Sequence, residues 1–593
     1  MELKELFTGN KSLLGICTDI EFLFLLKSWK VLSDRNELDS HVTFEAIYNQ
    51  TIDLQEMHNV FKQLSKSVNA FSMFMAFHKD TPLNYDIEEV IKYLNIVAND
   101  DLSFSVIDAF EELNSKSKTY IPQQLVELGY KLVNNNSNEI YMPFSHTFSI
   151  FSITDKKVYF EDAYDMRLVT SDKTPFILEL IKIIENKDIE FPKPKIVLDI
   201  LNSPFDHPTF VNPKAPHLLK EFESVLSFPT QGLRAKYDIT EKDRYNRFKI
   251  HKGTNLDVAH FEHILAQTKE KAVVLMPVGF TYRGSTEEEF RKYLVEKNYL
   301  EAIIQLPPNL HSATSIETVF FVINKYKNDN KVQFINLKDD SFIVRDGRKL
   351  VLKNIDDILD IYENKKELEN ISVLVTNDDI TNNNYSLAID RYVIPEETKE
   401  LQKIISNYKT IELQDIAEIR KSQLFRDEGN GKEVYELSPS DFEKAGFTKE
   451  GGKLKKIGSQ FKKYDTYKLQ AFDILVSTKG TIGKVAIIGE VTEPLLASQA
   501  SQVIRVKDKD RAIELYMFFK SDIGQALLRQ LVAGTAMPQI ATSEIRQLHI
   551  PILSKNEKER VLLNFNNEIE LYNKIDKINT DIKQIHSNFL GAK

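Results

Sequence analysis

Lysines are the residues of this 593-residue chain most plainly spaced for chemistry. Lys453, Lys455, Lys456, Lys462 and Lys463 fall within an 11-residue stretch, with Gln460 and Tyr464 beside them. Further on, Lys479 and Lys484 flank a turn formed by Gly480, Thr481, Ile482 and Gly483. Ammonium groups in such clusters neutralise phosphates, and Gln or Thr side chains read base edges. The same residues also suit a solvated charged loop. The formal charge of −10 argues against a protein that coats DNA indiscriminately. Residues 411–593 hold 28 Lys and Arg against 25 Asp and Glu, a net of +3, which leaves −13 on residues 1–410. A locally basic module on an acidic body suits a specific DNA reader. Cys17 is the single cysteine. It excludes an internal disulfide and a cysteine-based zinc site, so no metal is expected, and it fits a reducing cytoplasm.

The elements that must position these residues change character along the chain. Residues 1–115 read as helical, with apolar residues three and four apart across 52–65 and 87–97. From 116 to 395, β-rich runs alternate with amphipathic helices. Strands are expected at 271–277, 300–306 and 318–325, with a helix over 287–297 between the first two. That alternation predicts an α/β fold around a mostly parallel sheet. A charged helix at 396–410 reads as a linker. Residues 411–553 hold short strands separated by glycine turns, a small and mainly β domain. The tail, 554–593, reads as one long helix. Leu562, Phe565, Ile569 and Tyr572 begin a heptad-like stripe that Ile575, Ile578, Ile582, Ile585 and Phe589 continue. A helix of that length spans roughly 50 Å, enough for a spacer or for pairing with a second helix. The longest apolar runs, 22–26 and 272–276, are too short to cross a bilayer, and the first residues, MELKELFTGNKSLLG, show no secretion signal. A cytoplasmic protein without membrane contact is the expectation.

Residues 261–325 carry a helix, a strand ending at Pro277, a helix containing Arg291, a strand ending in Leu306 and Pro307, and a loop with Thr314 before a last strand. In this order and spacing they resemble the second half of the catalytic domain of type I restriction–modification DNA adenine-N6 methyltransferase subunits. Residues 386–393, SLAIDRYV, resemble the stretch that closes that domain. Residues 119–133, TYIPQQLVELGYKLV, resemble the Tyr-Thr-Pro element before its first strand, although Pro122 also suits an ordinary helix start. The resemblance implies a Rossmann-like methyltransferase fold.

It also implies an Asp-Pro-x-x-Gly-x-Gly loop whose glycines bring backbone amides to the methionine end of S-adenosylmethionine. The chain instead has Met142, Pro143, Phe144, Ser145, His146, Thr147 and Phe148 there. Pro143 survives, but bulky residues hold both glycine positions, where positive φ is costly. Glu161 stands at the family's ribose-binding carboxylate, and taken alone it reads as an exposed surface charge. The family's catalytic Asn/Asp-Pro-Pro-Tyr/Phe motif ends the fourth strand, where a flipped adenine donates its amino group to the Asn or Asp and stacks on the ring. The aligned residues here are Ser227, Phe228, Pro229 and Thr230, and Thr230 cannot stack a base. A competing match, Asn202, Ser203, Pro204 and Phe205, differs from Asn-Pro-Pro-Phe at one position.

Residues 411–553 resemble one target-recognition domain of a type I specificity subunit, on IELQDIAEIRKSQ, LQAFDILVSTKGTIGKVAII and GTAMPQIATSEIRQLHIPIL. The leading expectation is therefore a DNA-binding pseudo-methyltransferase of a restriction–modification or phage-defence system, without a cofactor. Its partners would be double-stranded DNA, a nuclease or translocase subunit, and a second copy joined through the C-terminal helix. One alternative is an active divergent adenine methylase using S-adenosylmethionine with Asn202 or Ser227. Another is an interaction scaffold that does not bind DNA.

Overall fold

The computed structural model describes residues 2, 13–78, 83–115, 120–133, 136–145, 147–161, 173–191, 211–212, 215–235, 239–240, 243, 245–310, 317–346, 349–448, 451–532 and 539–587. Two compact units divide the chain, Met1–Leu387 and Ala388–Lys593.

The first unit is built on a nine-stranded sheet. Its strands are β1 (Glu139–Met142), β2 (Lys157–Phe160), β3 (Ile189–Glu190), β4 (Phe222–Ser227) and β5 (Thr268–Pro277). They are followed by β6 (Leu300–Gln305), β7 (Thr318–Asn324), β8 (Lys331–Asn336) and β9 (Ser372–Thr376). The order across the sheet is β9-β8-β6-β7-β5-β4-β1-β2-β3. β7 and β9 run against the other strands, so the sheet is mixed. The central strands are apolar on both faces, as expected of strands covered by helices on each side. The strand order reverses beside β1, with β2 and β3 to one side and β4 to the other. Such a switch point opens a crevice at the carboxyl ends of the strands, where α/β folds place their ligands.

Helices α1 (Leu13–Asp34), α2 (Ile87–Ala98), α3 (Val106–Asn114) and α4 (Gln123–Val133) lead into the sheet. One apolar core runs from Ile20 through these helices to Ile140, Met142, Leu226 and Phe320 of the sheet. Gly129 lets α4 lie close on β4, since a Cβ there would stand 2.8 Å from Leu226 Cδ1. A short helix, α5 (Ile150–Ile153), follows β1, and α6 (Asp257–Ala266) and α7 (Thr286–Glu296) frame β5. Arg291, 2% exposed, donates Nη1 to the carbonyls of Phe280 and Arg283 and Nε to that of Tyr385. The arginine expected in this helix is thus a fastener of backbone. Thr314 lies outside the described residues.

The second unit holds a five-stranded sheet and a three-stranded one. The first contains β10 (Glu418–Lys421), β12 (Ile474–Ser477), β13 (Val485–Ile488) and β14 (Ser501–Arg505), and the second contains β11 (Lys453–Ile457). A 33-residue helix, α8 (Lys555–Ser587), closes the chain. The stripe along α8 divides in two. Phe565 is buried, with its ring 5.3 Å from that of Phe447 and 5.6 Å from that of Tyr516, whereas Ile575, Ile578, Ile582 and Ile585 are exposed. Phe589 lies outside the described residues. No helix of the described residues is long and apolar enough to cross a membrane.

Candidate functional site

The crevice at the switch point is built by the ends of three neighbouring strands. β1 and β2 pair in parallel, and the Glu161 N–H donates to the Met142 carbonyl at 3.0 Å. β4 pairs with β1 through Val225 and Tyr141. Beyond the paired residues, Ser227 Oγ donates to the Pro143 carbonyl at 2.6 Å. The fold thus brings Ser227 and Pro143 into contact across 84 residues of sequence. Phe228 is buried against Phe320, with ring centroids 6.3 Å apart, and Pro229 is buried beside it. Thr230 is half-buried. His146, Asn202, Pro204 and Phe205 lie outside the described residues.

Glu161 corrects the sequence reading of an exposed surface charge, for it is 2% exposed. Alternation along β1 explains why. Ile140 and Met142 enter the apolar core, so Tyr141 points to the opposite face, where its hydroxyl donates to the Glu161 carboxylate. His263 Nε2 lies 3.1 Å from the same hydroxyl, and Arg247 Nη1 lies 2.9 Å from His263 Nδ1. Burial together with the Arg247 charge pushes the His263 imidazole well down, so it is neutral. Arg247 can only donate, which makes Nδ1 the acceptor and puts the ring proton on Nε2. Donation therefore runs from Arg247 to His263 to Tyr141 to Glu161. Asp243 holds the far end through Arg247 Nε at 2.8 Å. Burial pushes the Glu161 carboxyl up to about 7, against the opposing pull of Tyr141 and Arg247.

The loop after β1 is filled by its own side chains. Phe144 takes φ of +55°, the left-handed region that costs an aromatic residue on the order of 1–2 kcal/mol. Its buried ring lies 4.5 Å from that of His260 and 5.3 Å from that of His263. The amides of Phe148 and Ser149 both donate to Glu111 Oε1, as does Thr147 Oγ1 at 3.1 Å. S-adenosylmethionine needs free loop amides for its methionine end and an ionised carboxylate for its ribose. Among the described residues the amides of Ser145, Phe148 and Ser149 are taken, Glu161 is engaged, and Phe144 packs across the loop.

Sequence reasoning missed Glu111, Arg247 and His263, and no motif marked them. The fold joins Arg247 to His263 across 16 positions, Glu111 to Ser149 across 38 and His263 to Tyr141 across 122.

In the second unit the lysines of the stretch separate into two sets. Lys453, Lys462 and Lys463 are exposed, as are Lys479, Thr481 and Lys484, whose Nζ donates to the Pro439 carbonyl at 3.1 Å. Lys456 is exposed and pairs with Glu433 at 3.3 Å. Two residues named as DNA contacts are corrected. Lys455 is buried, donating to the Phe425 carbonyl at 2.7 Å and pairing with Glu436 at 2.8 Å. Alternation along β11 turns it inward together with Ile457. Gln460 accepts from the Arg426 amide at 3.2 Å and donates to Glu428 at 2.6 Å, so its side chain is spent within the protein. Gly480 and Gly483 adopt φ of +70° and +86°, which hold the 479–484 turn in a form other residues resist. The described residues contain no group of three or more His, Cys, Asp or Glu that could hold a metal ion.

Comparison with known proteins matches residues 105–401, half of the chain, to the N-6 DNA Methylase family, and residues 405–580 to the type I restriction modification DNA specificity domain. The methylase subunit of type I restriction enzyme MpnII from Mycoplasma pneumoniae is 36% identical over 160 residues, which are 27% of this chain and 29% of that relative. That of MjaVII from Methanocaldococcus jannaschii is 24% identical over 433 residues, 66% of this chain and 72% of the relative. The solved methyltransferase subunit of a type I restriction-modification system from Streptococcus thermophilus shares the fold, with a TM-score of 0.51 and 16% identity. It covers 66% of this chain and 97% of that one.

Proposed function

Because the chain belongs to the N-6 DNA methylase family and carries a type I specificity domain behind it, we propose a DNA-recognising component of a restriction–modification or phage-defence system that does not transfer methyl groups. The family implies S-adenosylmethionine as cofactor. The observation that supports the pseudo-methyltransferase reading is the end of β1, where among the described residues Phe144 packs across the loop, Glu111 takes the amides of Phe148 and Ser149, and Tyr141 engages Glu161. In this reading residues 1–115 form a helical domain, 116–395 the methyltransferase-like part and 396–410 a linker. Residues 411–553 read DNA.

Lys453, Lys462, Lys463 and Lys479 are exposed cations suited to phosphates, with Lys456, Thr481 and Lys484 beside them. A single recognition module reads half of a bipartite site, so two copies would pair, with α8 offering Ile575, Ile578, Ile582 and Ile585 as the seam. A nuclease or translocase subunit would act on the DNA so held.

Calorimetry with S-adenosylmethionine, run beside a methyl-transfer assay on mixed-sequence duplex, tests the reading. No binding and no transfer is the expected result. Micromolar binding with transfer would replace it with the second reading, an active divergent methylase. Asn202 and Ser227 would then be the first residues to change. Duplex binding without salt dependence would count against the lysine face.

A further inference from the structure

Glu111 belongs to the helical layer, yet its carboxylate is spent on the loop that follows β1. Its helix, α3, is firmly placed. Ser105 and Asp108 form a capping box at its start, and Phe110 and Leu113 are buried in the core. From there Glu111 Oε1 receives three donors, the amides of Phe148 and Ser149 and the hydroxyl of Thr147. Phe148, Ser149 and Thr147 are at most 3% exposed. Oε2 is buried and has no hydrogen-bond partner among the described residues. A carboxylate taken out of water gains nothing from burial itself, and only the donors it meets offset the loss.

We propose that Glu111 is an internal ligand of the cofactor loop, supplying the carboxylate that the loop's amides would otherwise take from a bound molecule. The contact closes the crevice from the side of the helical layer and fixes that layer to the end of β1. It explains how a loop without its glycines satisfies buried amides, which are costly to leave without a partner. The inference rests on the pseudo-methyltransferase reading only in the identity of the loop. The contact itself stands on geometry.

The test is hydrogen exchange on the full chain, comparing the wild type with Glu111→Ala and Glu111→Gln. Amides 148 and 149 are expected to be protected in the wild type and to exchange at least tenfold faster in Glu111→Ala, while amides 140–142 of β1 keep their protection. Sodium acetate at tens of millimolar should slow amides 148 and 149 again in Glu111→Ala and leave the wild type unchanged. Should Glu111→Ala not fold, Glu111→Gln keeps the question open to measurement. Its carboxamide oxygen still accepts but carries no charge, and intermediate protection is expected. Unchanged protection in both variants, or fast exchange that acetate does not slow, would assign Glu111 to packing and overturn the proposal. Wild type that binds S-adenosylmethionine while amides 148 and 149 stay protected by Glu111 would sink the pseudoenzyme reading alone.

Discussion

At the ends of β1 and β4 the polar side chains face one another, whereas on the lysine-bearing face of the second unit they face solvent. Arg247, His263, Tyr141 and Glu161 form a buried chain in which each group answers the next. Lys453, Lys462 and Lys463 stand exposed. The energetics differ accordingly. A buried network is worth much only while complete, because each lost partner strands a desolvated group. An exposed cation contributes little to stability and keeps its charge for a partner. The first region behaves as structure, and the second stays open to solvent.

The largest effect is expected from breaking the buried chain. Tyr141→Phe removes the donor to Glu161 and the acceptor for His263, at about 3 kcal/mol. Urea unfolding followed by fluorescence of Trp29, the one tryptophan and fully buried in the first unit, reads this directly. An unchanged midpoint would mean that the chain does not hold the crevice.

The same network should make the first unit sensitive to pH. The folded carboxyl of Glu161 is pushed up to about 7 from an ordinary value of 4.5, so the folded state holds its proton more tightly than the unfolded chain. Its contribution to stability is therefore full below pH 4.5 and lost as pH rises through 7, by roughly 3 kcal/mol in all. Glu111, also raised to about 7 by burial, adds in the same direction. Glu161→Gln should flatten the Trp29 unfolding midpoint between pH 5.5 and 8. A slope equal to wild type would leave Glu161 out of it.

The lysine face should answer in the opposite currency. Lys453→Ala, Lys462→Ala and Lys463→Ala together should weaken duplex binding on the order of ten- to a hundredfold and lower the salt slope by about 3, with little change in stability. Lys455→Ala sharpens the contrast, since it breaks a largely buried pair with Glu436. It should cost about 2 kcal/mol of stability and leave the salt slope alone. Equal effects of the two changes on binding would erase the distinction.

Much of this division was legible at the level of elements. Apolar runs bounded by Pro277 and Pro307 place β5 and β6 within a residue or three of their observed limits, and the methylase and specificity signatures were carried by such ordered features. Local period was informative where it was applied. Lys455 stands two residues before the buried Ile457, on the same face of its strand, and reading the lysines as one cluster hid it. The closed crevice was less legible. The missing loop glycines do not say which side chains pack beside the loop. Glu111 sits on a helix 37 residues before Phe148, and His263 lies 122 residues beyond Tyr141. Contacts at such separation are chosen by the topology of the sheet.

The smallest effect on folding is expected on α8, where one helix shows both behaviours. Its first half is structure. Phe565 packs between Phe447 and Tyr516, and Lys520 pairs with Glu568 at 2.5 Å. Its second half carries Ile575, Ile578, Ile582 and Ile585 at alternating steps of three and four, exposed by 44–70%. That spacing lays them along one seam. Isoleucines in such a row gain about 25 cal/mol per Å2 only when a second surface covers them. Ile578→Asp with Ile582→Asp should therefore change the stability of the second unit by less than about 0.5 kcal/mol. The same pair should convert a dimer to a monomer in light scattering at micromolar concentration. Phe565→Asp should instead unfold the unit. A wild type that already scatters as a monomer, with and without DNA, would leave the seam without a second copy of the chain to cover it.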